Sequence, residues 1–346
     1  MNIEKKYIIW IALILGILLI WYVFTKVPLS EVIDLLKNTT LQLILLFILT
    51  IFMLQMVLTY RWKIVLESQG IKHGFWKLNN YRMAGYCVGY LTPSALLGGE
   101  PVRAALLSEK ANVPFEKSLS GVVIDKTIEL SSSAIFFTVG VLILLINFVV
   151  TPQLEFALIG AVVVFLILVF SFNIRMFQGK KFFHPIIRFL GLLKIKKIKK
   201  LEQKIINFEK LTLKFFKRDK KHFFYVILFS FLSWILMFIE YSIIGRMLGE
   251  HLSLMQIFLI ISVVGLAYLI PIPMALGALE VGQVSIFNAI SVSAAAGLAL
   301  ALVVRIKDVI LASIGLIILF VYGLDFKAFK NSKISDEDRK RIIKKI

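Results

Sequence analysis

Long apolar runs alternate with short clusters of lysine and arginine, and the runs come in two similar series. In the first, residues 7–25 and 41–60 are each apolar for about 20 residues, enough for a helix to cross the ~30 Å hydrocarbon core of a bilayer. Residues 83–97 are only moderately apolar and are interrupted by Gly85, Gly89 and Pro93. That pattern predicts a re-entrant hairpin turning near Pro93, because a full crossing would strand Arg103, Lys110 and Lys117 on the outer side. A long helix over 117–150 follows, with Asp125, Lys126 and Glu129 set into its apolar stretch. The second series predicts spans at 154–174 and 223–248 and a hairpin with arms 254–270 and 278–291, broken at Pro271-Ile272-Pro273. Its final helix, 294–323, holds Arg305, Lys307 and Asp308. Within the basic segment 175–222, Ile195, Ile198, Leu201, Ile205 and Phe208 recur at helical spacing between lysines, the pattern of an amphipathic helix in the headgroup layer. The N-terminal run exceeds the usual ~7–15-residue core of a signal peptide and lacks a small-residue cleavage site, so it is expected to be retained.

The two interrupted stretches are similar in wording. "GYLTPSALLGGEPVR" covers 89–103 and "AYLIPIPMALGALEVG" covers 267–282; both run Tyr-Leu-x-Pro, then small residues and glycine, then glutamate. Tyr90 and Pro93 fall on Tyr268 and Pro271 at an offset of 178; Glu100 falls on Glu280, and Asp125 on Arg305, at 180. Arg61, Lys63, Lys72, Lys77 and Arg82 read as a cytoplasmic basic loop, which puts the first hairpin on that side and the second on the opposite side. The expected fold is an all-α polytopic membrane protein of two inverted-topology repeats, each with two spans, a re-entrant hairpin and a long charged helix. The first repeat is expected over 1–150, the second over 151–326, and a basic cytoplasmic tail over 327–346. In hydrocarbon every backbone N–H and C=O needs a partner, and proline removes a donor, so broken backbone survives only where protein buries it or water reaches it. Two breaks, at Tyr90, Pro93, Gly98 and Gly99 and at Tyr268, Pro271, Pro273 and Gly277, therefore point to a shared polar cavity. Short helices starting there would direct amide N–H groups at an anion.

Composition narrows the reading. The chain has 346 residues and is 59% hydrophobic, well above the ~45–50% of soluble domains. Its net charge of +19 lies beside the spans, which fits inner loops and anionic headgroups rather than nucleic acid. Cys87 is the single cysteine and the four histidines show no ligand spacing, so neither a disulfide nor a metal or other cofactor is expected. No Walker, His-Glu-x-x-His or Gly-x-Ser-x-Gly motif occurs. A charge at mid-membrane costs about 2.5–3.5 kcal/mol and normally faces a bundle interior and pairs. Glu100, Arg103, Asp125, Lys126, Glu129, Glu280, Arg305, Lys307 and Asp308 are therefore the candidate headgroup-binding or charge-cluster residues, with the acids of one repeat expected to meet the cations of the other. Glu240 is expected to serve as a local hydrogen-bond partner. A structural cluster locking the halves and a phosphate-holding site remain alternatives at this point.

"TPSALLGGEPVRAALL", the charged "DKTIE" helix, and "PIPMALGALEVG" followed by a late arginine resemble the lysylphosphatidylglycerol synthase transmembrane region family, the flippase-like half of bacterial multiple peptide resistance factors. The resemblance covers nearly the whole chain, and its motif falls on Gly98, Gly99, Glu100 and Arg103 and on Pro271, Pro273, Gly277 and Glu280. It implies movement of an anionic lipid between leaflets of the cell membrane. The chain stops about twenty residues after the last expected span, so the aminoacyl-transferase activity of the resistance factors is not expected here. Some archaeal relatives have been linked to sugar transfer from polyprenyl phosphates. The expected function is thus a translocase for an anionic phospholipid or polyprenyl-phosphate lipid, with membrane lipids as partners and a homo-oligomer open; a membrane-embedded glycosyltransferase or accessory protein, or a scaffold acting through 175–222, is the alternative. Both termini are expected in the cytoplasm.

Overall fold

The computed structural model describes residues 29–37, 39–93, 98–147, 152–182, 185 and 202–322. The expected first span at 7–25, most of the basic stretch before Glu202 and the tail at 327–346 lie outside the described residues. Among those described, all regular structure is helical: α1 Leu29–Lys37, α2 Leu41–Ser68, α3 Phe75–Leu91, α4 Glu100–Lys110, α5 Phe115–Asn147, α6 Pro152–Phe177, α7 Glu202–Arg218, α8 Lys220–Met247, α9 Leu254–Leu269, α10 Ala278–Ala289 and α11 Ala294–Tyr322. Helix lengths recur in order. α2 and α8 have 28 residues each, α3 and α9 have 17 and 16, α4 and α10 have 11 and 12, and α5 and α11 have 33 and 29.

The packing follows the same correspondence. α2 lies along α8; α3 rests on α11 while α9 rests on α5; α1 packs on α11 while α7 packs on α5. Swapping the two series turns this set of pairings into itself. Each interrupted segment is thus supported by the long charged helix of the other series.

Among the described residues, three helices, Leu41–Ser68, Phe115–Asn147 and Lys220–Met247, are long and apolar enough to cross a membrane. Their outward faces carry large apolar side chains, among them Leu45, Ile48, Leu49 and Phe52 of α2, Ile135 and Leu142 of α5, and Leu228, Phe231 and Ile235 of α8. Arg61, Arg103, Asp125, Glu240, Glu280 and Asp308 are buried. A soluble protein has the reverse arrangement, because water rewards burying apolar surface and exposing charge. Hydrocarbon outside the bundle and polar groups inside it make this a membrane protein.

Both expected breaks are present. α3 ends at Leu91, where the Thr92 N–H and hydroxyl both donate to the carbonyl of Val88 at 3.1 and 2.7 Å ahead of Pro93. α9 ends at Leu269, and Pro273–Ala275 forms a single 3₁₀ turn before α10. In that turn Met274 and Ala275 adopt φ of 58° and 50°, a left-handed conformation unfavourable to side-chain-bearing residues, and Gly277 follows at 75°.

One expectation is corrected. The second span does not stop near residue 60, and the basic stretch 61–82 is not a loop. α2 continues to Ser68 and α3 starts at Phe75, so Arg61 and Arg82 lie within helices and only 69–74 connect them. Trp62, Ile64, Val65 and Leu66 are all buried and carry the apolar packing past Arg61.

Candidate functional site

The site is assembled around the first break. Gly99 ends the interruption and meets Gly85 of α3 backbone to backbone; a Cβ on Gly99 would lie 1.9 Å from the Gly85 carbonyl oxygen. A Cβ on Gly85 would in turn lie 2.5 Å from Arg103 Cγ. Two glycines thus let α4 start against α3 and let Arg103 pass over it toward α5. Asp125 and Glu129, four residues apart, share one face of α5. Arg61 approaches that face from α2.

The six charges close into a ring of alternating sign. Arg61 donates from Nε to Asp125 at 2.7 Å and from Nη2 to Glu129 at 2.9 Å. Arg103 donates from Nη2 to the other oxygen of Asp125 at 2.9 Å and from Nη1 to Glu100 at 3.0 Å. Lys126 donates to Glu129 at 2.6 Å and lies 3.9 Å from Glu100, completing the circuit. Arg61 and Asp125 are almost wholly shielded, with 1% and 0% of their side chains exposed, so neither charge is compensated by bulk water. The Arg103 guanidinium also sits 4.3 Å above the Trp62 ring, an electrostatically favourable stack.

Arg82 of α3 stands outside this ring. It forms no ion pair among the described residues; its Nη2 donates to Gln55 Oε1 and its Nε has no partner. Because the ring balances itself, the local excess of positive charge is that of Arg82. Arg82 and the ring members other than Asp125 border a cavity of about 300 Å³. Tyr86, Ser132, Ser133, Ser233 and Tyr268 add hydroxyls to its wall, while Phe137, Phe165, Trp234, Met237 and Leu269 make the rest apolar.

A second cluster surrounds the other break. Arg305 of α11 donates from Nε to Glu280 at 2.7 Å and from Nη1 to the Met274 carbonyl at 2.9 Å, with Tyr90 Oη and the Ala275 carbonyl each at 3.5 Å. It holds the left-handed residues of the 3₁₀ turn by their carbonyls. Lys307 donates to Glu240 of α8 at 2.7 Å and lies 3.7 Å from Asp308, so Glu240 is a salt-bridge partner and not only a local hydrogen-bonding group. The Tyr268 hydroxyl donates to Asp308.

All nine predicted charged residues therefore fall into two clusters, but the expected pairing is overturned. Acids of one half do not meet cations of the other. Glu100, Asp125 and Glu129 pair with Arg61, Arg103 and Lys126, while Glu240 and Glu280 pair with Lys307 and Arg305. The reason is packing: α4 and α10 lie directly on the charged helix that follows each of them, so the nearest countercharge is local to each half. Tyrosines cross between the halves instead, Tyr90 reaching Arg305 and Tyr86 reaching Asp308. Tyr90 and Tyr268 lie in the last turns of α3 and α9, and Pro93, Gly98, Gly99, Pro271, Pro273 and Gly277 lie between the helices.

With this geometry in view, comparison with known proteins is direct. The model of the lysylphosphatidylglycerol synthase TM region matches residues 9–315. The chain belongs to that family. It is 23% identical over 270 residues to a UPF0104 membrane protein of Methanothermobacter thermautotrophicus, covering 75% of this chain and 80% of the relative. A UPF0104 membrane protein of Pyrococcus horikoshii is 23% identical over 316 residues, 87% of this chain and 92% of the relative. One from Methanocaldococcus jannaschii is 27% identical over 132 residues, 38% of this chain and 39% of the relative. No solved structure matches the chain. Within the family region, the Gly-Gly-Glu-x-x-Arg segment supplies Gly99, Glu100 and Arg103 to the first cluster, and the second break supplies Glu280 and the Met274 and Ala275 carbonyls to the other.

Proposed function

We propose that this member of the lysylphosphatidylglycerol synthase TM region family moves an anionic lipid between bilayer leaflets. Its phosphate-bearing headgroup enters the cavity beside Arg82, while the tails stay in hydrocarbon. The observation that carries this reading is the pairing state of the cations. Arg61, Arg103 and Lys126 are committed to carboxylates, whereas Arg82 faces the same cavity with no ion pair among the described residues. An uncompensated guanidinium inside a membrane protein is costly unless something anionic visits it. Arginine also suits a phosphate diester, with donors in a fixed planar fork.

The recurring helix lengths and exchanged contacts support two repeats of opposite orientation, whose breaks enter from opposite faces and alternate in opening the cavity. Both termini are read as lying on the cytoplasmic side of the cell membrane, from the bias of lysine and arginine toward that side. An anionic phospholipid and a polyprenyl phosphate share the phosphate chemistry that Arg82 would meet. Proteoliposomes carrying fluorescent phosphatidylglycerol, phosphatidylcholine or a polyprenyl phosphate tell these lipids apart by the fraction that an added quencher reaches over time. Faster exchange of an anionic lipid, slowed at least about tenfold by Arg82→Gln, is the expected result. No acceleration of any anionic lipid refutes the reading, and formation of a glycosylated product would assign sugar transfer instead.

A further inference from the structure

The two clusters differ in charge balance. The first has one cation more than it has carboxylates, namely Arg82. Around the second break, Glu240, Glu280 and Asp308 face only Arg305 and Lys307. Lys307 donates to Glu240 at 2.7 Å and Arg305 to Glu280 at 2.7 Å, so Asp308 is the most weakly paired carboxylate: its nearest cation among the described residues, Lys307, lies 3.7 Å away and is shared with Glu240. It is 4% exposed. Glu280 Oε2, also buried, has no hydrogen-bond partner among the described residues.

Two tyrosines on different helices also approach Asp308. Tyr268 of α9 donates to it, and Tyr86 of α3 lies within electrostatic reach of it. Tyr90 of α3 and Tyr241 of α8 lie within electrostatic reach. Both Tyr86 and Tyr268 also line the cavity that borders Arg82. Their hydroxyls are therefore available to two acceptors: the carboxylate of Asp308, or an anion inside the cavity. Each hydroxyl has one proton to donate and cannot serve both.

We propose that Asp308 is a proton-binding carboxylate that couples headgroup occupancy to proton movement, with Tyr86 and Tyr268 as the link. The proposal rests on the headgroup reading above. When an anion occupies the cavity, the tyrosine hydroxyls turn toward it, and Asp308 loses donors while gaining a negative neighbour. Both changes destabilise its ionised form. A proton from water reaching the cavity then forms an O–H bond at an Asp308 oxygen; nothing is oxidised or reduced. Departure of the anion returns the donors and releases the proton. A singly charged lipid thus travels with a proton, and the net charge crossing the membrane is zero.

The test is calorimetric titration of the purified full-length protein in detergent with dihexanoyl-phosphatidylglycerol, a phosphodiester with one fixed charge. Repeating it in buffers of different ionisation enthalpy counts the protons taken up. Wild-type protein is expected to take up about one proton per lipid bound. Asp308→Asn should bind lipid with no uptake, and Asp308→Glu should restore it. Tyr86→Phe combined with Tyr268→Phe should also abolish uptake while leaving Asp308 in place, which keeps the test open should Asp308→Asn fail to fold. Lipid binding without uptake in the wild type, or undiminished uptake in Asp308→Asn or in the double variant, overturns the coupling and leaves the headgroup reading standing. Absence of lipid binding in the wild type overturns both.

Discussion

Arg61 and Arg82 border the same cavity, yet shortening each to methionine should fail in different ways. Arg61 is fully buried and bonded to Asp125 and Glu129 at 2.7 and 2.9 Å. Removing one member of a buried pair costs about 3–5 kcal/mol, because it leaves a charge without compensation. Here Asp125 keeps Arg103 and Glu129 keeps Lys126, so Arg61→Met should fall near the lower end, about 3 kcal/mol. Arg82→Met strands no carboxylate. It removes one hydrogen bond to a neutral amide, about 0.5–1.5 kcal/mol, and it also removes an unneutralised charge from a poorly solvated site. The two effects oppose each other, so stability should change by no more than ~1 kcal/mol in either direction. Lipid binding should show the reverse order. A charge-assisted hydrogen bond to phosphate is worth about 1.5–3 kcal/mol, so Arg82→Met should weaken binding of a short-chain phosphatidylglycerol roughly 10- to 150-fold. Chemical unfolding in detergent measures the first quantity and titration calorimetry the second. If Arg82→Met destabilises as much as Arg61→Met and still binds the lipid normally, the division into a structural ring and a ligand-facing arginine is wrong.

Gly99→Ala should abolish accumulation of folded protein, since its Cβ would overlap the Gly85 carbonyl, whereas Gly160→Ala, with nothing within 4 Å, should fold and melt like the wild type; yield and thermal unfolding compare them. Arg305→Met releases the carbonyls of Met274 and Ala275, so hydrogen exchange at residues 270–277 should speed up roughly tenfold or more, for a loss of about 1.5 kcal/mol, and unchanged exchange would show that the turn holds itself. His73, in the link between α2 and α3, is held below its ordinary pKa first by burial and then by Lys77. Its neutral form favours the folded link, so this stability is complete above the unfolded value of about 6.5 and is lost as pH falls through the lower folded value; exchange at 69–81 should rise over that acid range and lose its pH dependence in His73→Phe.

Much of the architecture was legible along the chain because its causes are local. A run of about twenty apolar residues announces a membrane helix wherever it packs. Proline and glycine announce a break, so the limits of α8 to α11 follow the sequence expectation within three residues at each end. The charged helices were visible because Asp125, Glu129, Arg305 and Asp308 stand within apolar stretches where an ionised group needs a reason to exist. Arg61 sends the same signal, lying in "VLTYRWKIVL", but other lysines and arginines after it made the segment resemble a loop. Arg82 sends a fainter one, since "NNYRMAGY" is polar enough to pass for a connector.

What one dimension could not supply is the choice of partners. Which carboxylate meets which cation depends on how α4 and α10 lie on the helices that follow them, and that depends on glycine contacts such as Gly85 with Gly99. Coulomb energy rewards a few ångströms of approach, and residues 22, 64 or 215 positions apart reach that distance only after the helices have packed. The sequence by itself determined a helical membrane protein with two interrupted segments and an unusual load of buried charge. Tertiary packing alone decided that those charges pair within each half, that tyrosines bridge between the halves, and that Arg82 is left facing the cavity.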